Sequence, residues 1–519
     1  MDAVQEAREQ EKQRLLTRLA ELQIEEQVSE GVFLGTPHYS IIELQAATLG
    51  RELSRKAQER GAREVAANCK TQAACPTCRS PCQVETKKRQ VTSIDGLVEL
   101  TETVARCRHC RRSFFPQRKA LGLESRRLTP SLIERVVWAT AETRSHERAV
   151  VVLKRVGGNG VCSKTIGRVA TEVGGELAAL RDRAPNRSPA KLVPKSPEEP
   201  PKLAVVQCDG GRIRTRQPGQ GPGVHAQAWR EAKNACLVKM THQTFESDPQ
   251  PELPACFRDP AHVAELAERA VPEGLASPPP VVSPTKEQQE DWRPKRLVRT
   301  CLSSLVASRV FGQQMHRESR RRRFPEASHR AFLGDGLPWN WSIWKKHFRK
   351  FVPILDFIHA LSYLYRAALV CQHDLPAAWE CYLRWAQTCW SGNVGEVLPE
   401  LRQWLVHHDL DPDQTLEEKH PDKPVLDAHR YLTGNQARMH YGQYRRQGLP
   451  VTTALMESLV KQINQRVKGT EMFWNDPAGA EAILQIRAGA LCDDDRLAMY
   501  LAARPGCPFV RRSTSPAAA

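Results

Sequence analysis

The sequence predicts a multidomain α+β protein, and three observations carry that reading. Two Cys-x-x-Cys pairs bracket a stretch that alternates like a β-hairpin, which places a metal-stapled module near the N-terminus. A proline- and charge-rich run, RAPNRSPAKLVPKSPEEPP (183–201), then separates a helical segment from a long C-terminal region. In that region short apolar strands end in single acids beside glycines, and amphipathic helices follow them.

The chain has 519 residues, enough for about three domains of ordinary size. A net charge of +17 points to a polyanionic partner, because excess Lys and Arg bind phosphate backbones without reading sequence. A membrane surface is the competing partner. No basic amphipathic helix with an aromatic face supports it, and no run of about 18 apolar residues could span a bilayer. The opening MDAVQEAREQEKQR is too charged for a signal peptide, so the 16 cysteines are expected to be reduced thiols, some of them on metal.

Residues 1–68 are rich in Glu, Gln, Arg and Ala, with Leu15, Leu19 and Leu22 at helical spacing. A helical hairpin or short coiled coil fits; a solvated helix is the alternative. Residues 69–120 are expected to form a zinc ribbon. Cys75-x-x-Cys78 and Cys107-x-x-Cys110 stand 28 residues apart, and each pair can aim two thiolates at one tetrahedral Zn²⁺. The intervening VETKKRQVTSIDGLVELTETVARC alternates as a hairpin does, with Asp95-Gly96 as its turn. The gap exceeds the roughly 15–20 residues usual for four-cysteine sites, and ordinary free or redox thiols are the alternative. Cys69 and Cys82 are read as bystanders. A closed four-thiolate site folds its module and performs no chemistry. Arg106, Arg108, Arg111, Arg112 and Arg118 crowd the second pair and suit a DNA backbone.

Residues 128–182 read as three helices. Thr129 and Pro130 begin the first as N-cap and first-turn proline, and Leu132, Ile133, Val136 and Val137 supply its apolar face. The second covers about 145–155 and ends at GGNG. Ser163 can cap the third, which turns Ile166, Val169, Ala170 and Val173 inward and Lys164, Thr165 and Arg168 outward. A helix-turn-helix with those three residues on DNA is the functional reading, and a plain three-helix packing unit the alternative.

The segment 202–495 is expected to be the catalytic domain. In LAVVQCDGGRIRTR (203–216) an apolar strand reaches Asp209, two glycines turn the chain, and Arg212, Arg214 and Arg216 alternate along a returning strand. Ala235–Met240 reads as a further strand. The pattern repeats in HRAFLGDGLPWNWSIW, where strand Ala331–Leu333 delivers Asp335 between Gly334 and Gly336. FVPILDFIHALSYLYRAA is strand then helix, with Asp356 and His359 at the join. TALMESLVKQINQRVKG (453–469) is a helix with Met456, Val460, Ile463 and Val467 on one face and Glu457, Lys461, Asn464 and Lys468 beside it. Three strands in sequence, the first ending in an acid, fit an RNase H-like sheet.

Such acids suit a two-metal phosphodiester site. Two Mg²⁺ (or Mn²⁺) ions roughly 4 Å apart clamp the attacking and leaving oxygens. Asp209 would bridge both ions, and Asp335 and Glu457 would each hold one. Arg212, Lys461 and Lys468 suit the DNA backbone. Glu471 and Glu481 are rivals of Glu457. Asp356 is a rival of Asp335, which its flanking glycines favour. His359 reads as a residue behind the ligands or in packing, and Arg320–Arg323 as a backbone track or a solvated loop. The last residues, 496–519, read as a tail.

These stretches together resemble the DDE transposases of bacterial insertion sequences, most closely the ISKra-type group. The likeness extends over the cysteine pairs, CRRSFFPQRKALGL, AETRS, VVQCDGGRIRTR, GPGVHAQAWREAKNACL, ESDPQPELPACF, LGDGLPWNW, ILDFIHALSYLYRAA and ESLVKQINQRVKGTEMFW. The resemblance implies an RNase H-like catalytic domain interrupted by a helical insertion, here about 372–450. It places Asp209, Asp335 and Glu457 on the acidic triad. Asp356-x-x-His359 looks like the Asp/Cys-x-x-His element that follows the second Asp in related transposases. SHERAVVVLKRVGGNGVCS is a loose match.

The implied protein binds the inverted-repeat ends of its element, cuts them and joins the freed 3′-hydroxyls to target DNA. It needs no covalent intermediate, no small-molecule substrate and no membrane. Pairing two double-stranded ends implies a homodimer or higher assembly. The expected setting is the bacterial cytoplasm, on the nucleoid when DNA-bound. The rivals are another RNase H-like nuclease and a catalytically silent DNA-binding derivative.

Overall fold

The computed structural model describes residues 3–123, 127–183, 195, 197, 199–216, 229–269, 293–468, 474 and 476–504, apart from the side chains of Ala454 and Glu457. The chain is mixed α+β and divides into two compact units. One comprises 1–136, 150–163 and the C-terminal residues from 504; the other comprises 137–149 and 164–503. The segment 183–201, expected as the main boundary, lies largely outside the described residues, and the units do not part there. No described helix is long and apolar enough to cross a membrane.

In the first unit the expected N-terminal helices are α1 (Ala3–Ser29) and α2 (Tyr39–Ala67). Leu15 and Leu22 of α1 remain exposed. Strands β1 (Gln72–Ala74), β2 (Pro81–Ser93), β3 (Gly96–Arg106) and β4 (Ser113–Phe114) follow and form an antiparallel sheet in chain order. The β2–β3 ladder closes on Ser93 opposite Gly96, so the connection is Ile94-Asp95, one residue earlier than the sequence suggested. Asp95 is used elsewhere: its carboxylate accepts from Ser54 Oγ (2.6 Å) and Gln58 Nε2 (2.9 Å), fastening the hairpin tip to α2. Val91, Val98, Leu100 and Leu123 bury beneath it, each contributing about 1.5–3 kcal/mol on leaving water.

Helices α3 (Pro130–Glu142), α4 (His146–Arg155) and α5 (Ser163–Asp182) stand where the sequence placed them. Thr129 Oγ1 is buried without a hydrogen-bond partner, so it does not cap α3. The three helices are shared between the two units and form no module of their own. Along α5, Ile166, Val169, Ala170 and Val173 are buried as expected, and burial continues through Gly174 and Leu180.

The second unit holds a five-stranded sheet: β5 (Leu203–Arg214), β6 (Trp229–Met240), β7 (Arg296–Ser304), β8 (His329–Gly334) and β9 (Val352–Leu355). Its order is β7-β6-β5-β8-β9; β7, β6 and β5 run antiparallel, and β5, β8 and β9 run parallel. Two expectations are corrected here. Gly210 and Gly211 do not turn the chain; β5 runs straight through them, paired with Lys233 and Ala232, and continues to Arg214 opposite Trp229. The long antiparallel ladder with β6 supplies these residues with backbone partners on one side, which holds the strand straight. The third strand is therefore Arg296–Ser304, whose last six residues are buried.

Helices α6 (Pro260–Arg269), α7 (Ser308–Arg321), α8 (Pro338–His347) and α9 (Phe357–Cys371) flank the strands in the chain. The stretch 372–450 is helical as expected, with α10 (Leu375–Trp390), α11 (Val394–His407), α12 (Lys423–Asn435) and α13 (Tyr441–Arg446). Next come α14 (Ala454–Val467), α15 (Pro477–Ala490) and α16 (Arg496–Ala503). A Cβ at Gly174 of α5 would overlap the carbonyl of Ala482 in α15, and Arg181 bonds Glu481 at 2.8 Å. That close packing makes α5 part of the sheet's unit. The expected tail is corrected as well. Leu497 and Tyr500 are buried, and Arg496 pairs with Glu318 and Asp494 at 2.7 Å each, so Arg496–Ala503 is a packed helix.

Candidate functional site

The four predicted cysteines converge. One sulfur from each of Cys75, Cys78, Cys107 and Cys110 lies within 4.8 Å of the others. The two knuckles are built alike. Cys75 N donates to Ser80 O and Cys107 N to Arg112 O, each at 2.9 Å, and the residue after each second cysteine, Arg79 or Arg111, takes a positive φ. Hydrogen bonds with Ser80 bring the Cys78 thiol down to about 6, whereas its bond with Cys78 pushes Cys110 up to about 12. Four such thiols cannot all ionise without a cation among them, so the cluster can hold a structural metal such as zinc. Cys82 is buried beside it with its Sγ turned to Ser80 O, a bystander.

The sheet brings the predicted acids together by register. Cys208 of β5 pairs with Gly334 of β8, and Gly334 pairs with Leu355 of β9. The next residues on the three parallel strands are Asp209, Asp335 and Asp356, one beside another along a single edge. Asp209 and Asp335 are near enough for the charge of one to act on the other. Burial, and then the charge of Asp335, push the Asp209 carboxyl up to about 7, and burial raises Asp335 as well. Asp335 accepts from Leu337 N (3.0 Å) and from Asn340 Nδ2 on α8, which fixes its orientation.

Asp356 is fully buried and already committed. It accepts from Thr453 N (2.7 Å), at the start of α14, and from His359 Nδ1 (2.6 Å). Burial alone would lower His359, yet its bond to Asp356 and the charges of Asp356, Asp209 and Asp335 raise it to about 9. At neutral pH an imidazolium therefore faces the acid pair.

Helix α14 is tied to the sheet at two points. Its entry is held by Asp356 and by Gln207 Nε2, 3.5 Å from Thr452 O, while Asn464 lies 3.9 Å from where a Cβ of Gly211 would stand. Glu457 belongs to the backbone turn between those ties; its side chain lies outside the described residues. Of its rivals, Glu481 is consumed by Leu305 N (2.7 Å), Ser304 Oγ (2.8 Å) and Arg181, and Glu471 lies outside the described residues. Among the described residues the four thiols are the one group of three or more ligand atoms close enough for a single ion.

The predicted DNA contacts are spread over several elements. Arg212 on β5, Lys461 on α14 and Lys468 just after it are exposed, and Lys468 Nζ sits 6.0 Å from the Trp229 ring. Lys164 and Arg168 are exposed on the first turns of α5, with Thr165 half-buried between them. Of Arg320–Arg323, read as a backbone track or a solvated loop, Arg321 and Arg322 bond Glu318 at 3.3 and 3.2 Å, Arg323 pairs with Glu326, and Arg320 is exposed. Sequence reasoning missed Asn340, Thr453 and Tyr431, whose hydroxyl donates to the Asp335 carbonyl at 2.7 Å. Asn340 stands five residues after Asp335 in the motif already noted; nothing local marks Tyr431, which is 96 residues away.

Compared with known proteins, the chain matches no protein-family model and no curated protein sequence.

Two outcomes are expected. The purified chain should carry one zinc by elemental analysis, and Cys107→Ala should lose it; wild type without metal contradicts the cluster. For Asp209, a folded value near 7 against about 3.9 unfolded means its contribution is whole at acid pH and lost as pH rises through 7. Without divalent cation, Asp209→Asn should therefore show a smaller fall in Tm between pH 5 and 8 than wild type. An equal fall contradicts the assignment.

Proposed function

We propose that this chain is a transposase of the DDE kind, which cuts phosphodiesters at the ends of a DNA element and transfers the 3′-hydroxyls to target DNA. The observation that carries the reading is the side-by-side delivery of Asp209 and Asp335 by adjacent parallel strands at one sheet edge. The sheet, three antiparallel strands followed by two parallel additions, supports an RNase H-like domain, and the helices of 372–450 support the insertion.

The residues fit hard divalent cations. Two neighbouring carboxyls, one pushed up to about 7 by burial and by the other's charge, form a site that favours added positive charge. Asp209, Asp335 and Glu457 would hold two Mg²⁺ or Mn²⁺ ions, which supply an activated water and neutralise charge on the phosphate. The remaining work falls to the chain's own groups. Asn340 locks the Asp335 carboxylate, and Asp356 orients His359 and anchors the helix that carries Glu457. His359, protonated at neutral pH, places a positive charge and a proton beside the acids. Arg212, Lys461 and Lys468 hold the DNA backbone. The zinc ribbon and Lys164, Thr165 and Arg168 bind the ends. Pairing two ends calls for a homodimer or larger assembly.

The test is Mg²⁺-dependent cleavage of a plasmid carrying the inverted repeats that flank the gene. Asp209→Asn should reduce cleavage by more than about 100-fold, and His359→Gln by roughly 10–100-fold, as for a group acting through its neighbours. Unchanged cleavage by Asp209→Asn overturns the assignment.

A further inference from the structure

We propose that the groove beside Asp335 holds one unpaired nucleobase of the DNA strand being cut, an inference that rests on reading the acid site as phosphodiester-cutting. The groove encloses about 540 Å³, within the ~300–1,000 Å³ of small-ligand sites. Tyr363 and Tyr431 form one wall, stacked with ring centroids 3.9 Å apart and planes 16° apart. Trp341 forms another, with the Arg438 guanidinium 4.3 Å from its ring.

The groove and the acids form one construction. Gly336, at φ +94°, leaves no room for a side chain, because a Cβ would stand 2.5 Å from the Tyr431 ring. The Tyr431 hydroxyl then donates to the carbonyl of Asp335 itself. An aromatic wall is thus fixed one residue from a carboxylate of the cutting site, so a strand whose phosphate meets Asp335 passes a neighbouring nucleotide over this groove.

The lining chemistry selects the occupant. Aromatic faces accept any base by stacking, and arginine adds cation–π attraction and a partner for phosphate. Arg438 is held in place by Gly434 O and Asn435 Oδ1, both at 3.1 Å, so its plane is set before a ligand arrives. Asp427 at the rim is offset by Lys423 at 2.9 Å, leaving Arg430 and Arg438 to set the sign of the groove. A paired base hides both faces in the duplex stack, so only an unpaired one can enter.

The experiment measures affinity of the full-length, zinc-loaded protein without added divalent cation for two labelled probes: a 12-mer of thymidine and the same backbone with abasic sugars. Wild type should prefer the base-bearing strand by about tenfold or more. Trp341→Ala should abolish the preference, and Trp341→Phe should restore most of it. Should Trp341→Ala fold poorly, Gly434→Phe gives the same answer: Gly434 lines the groove and its Cβ position is open, so the ring fills the cavity without touching the core. Equal binding of both probes by wild type, or a preference that survives Gly434→Phe, overturns the proposal. Plasmid cleavage run in parallel separates the two ideas. Asp209-dependent cleavage without base preference overturns the groove alone, whereas base preference without metal-dependent cleavage overturns the acid site, and with it the cut strand as occupant.

Discussion

The parallel register of β5, β8 and β9 sets the geometry on which everything at the site rests. Once Cys208 lies opposite Gly334 and Gly334 opposite Leu355, three aspartates must emerge side by side at one edge. A slip of one residue would send one of them to the opposite face of the sheet. The register is held by strands buried on both faces: Ala204, Val205, Val206, Ala331, Phe332, Leu333 and Ile354 have no exposed surface. Such two-sided burial is what parallel strands require, and it leaves their C-terminal ends as the place where polar groups can gather.

Charge within the cluster is balanced by position. Holding a carboxyl near 7 instead of near 4 means that its ionised form is disfavoured by a few kcal/mol, an unfavourable state for an otherwise well-packed sheet. His359 offsets part of that cost, whereas the charge of Asp356 adds to it; Asp356 in turn holds His359 and fixes the start of α14 through Thr453. One buried carboxylate thus couples the orientation of the imidazolium to the placement of the helix bearing Glu457. The cysteine cluster shows the same logic with sulfur: groups crowded so closely that a cation is the natural complement.

Much of this was legible in the sequence, and the failures have physical causes. Asp209 and Asp335 were readable because an apolar run followed by an acid and glycine is a local pattern. The cysteine pairs were readable because ligand spacing is local too. Gly210-Gly211 misled because glycine permits a turn but does not compel one, and the long pairing with β6 decided the matter. Strand β7 was overlooked because RLVRTCLSS mixes charge with apolar residues and follows a long segment without periodicity. Helix α16 was taken for tail because the anchoring of Arg496 depends on Glu318, 178 residues distant. Tyr431 had no signal at all, since its role comes from a helix folding back onto Gly336.

The central claim is that Asp209, Asp335 and Glu457 form one divalent-cation site. Crystals of the protein grown with Mn²⁺, with diffraction recorded at the manganese absorption edge, test it most directly. The account predicts anomalous density between Asp209 and Asp335, with the Glu457 carboxylate as a further ligand and the density absent in Asp209→Asn. Manganese missing from the Asp209–Asp335 edge at saturating concentration, or bound there with Glu457 turned away, would contradict it.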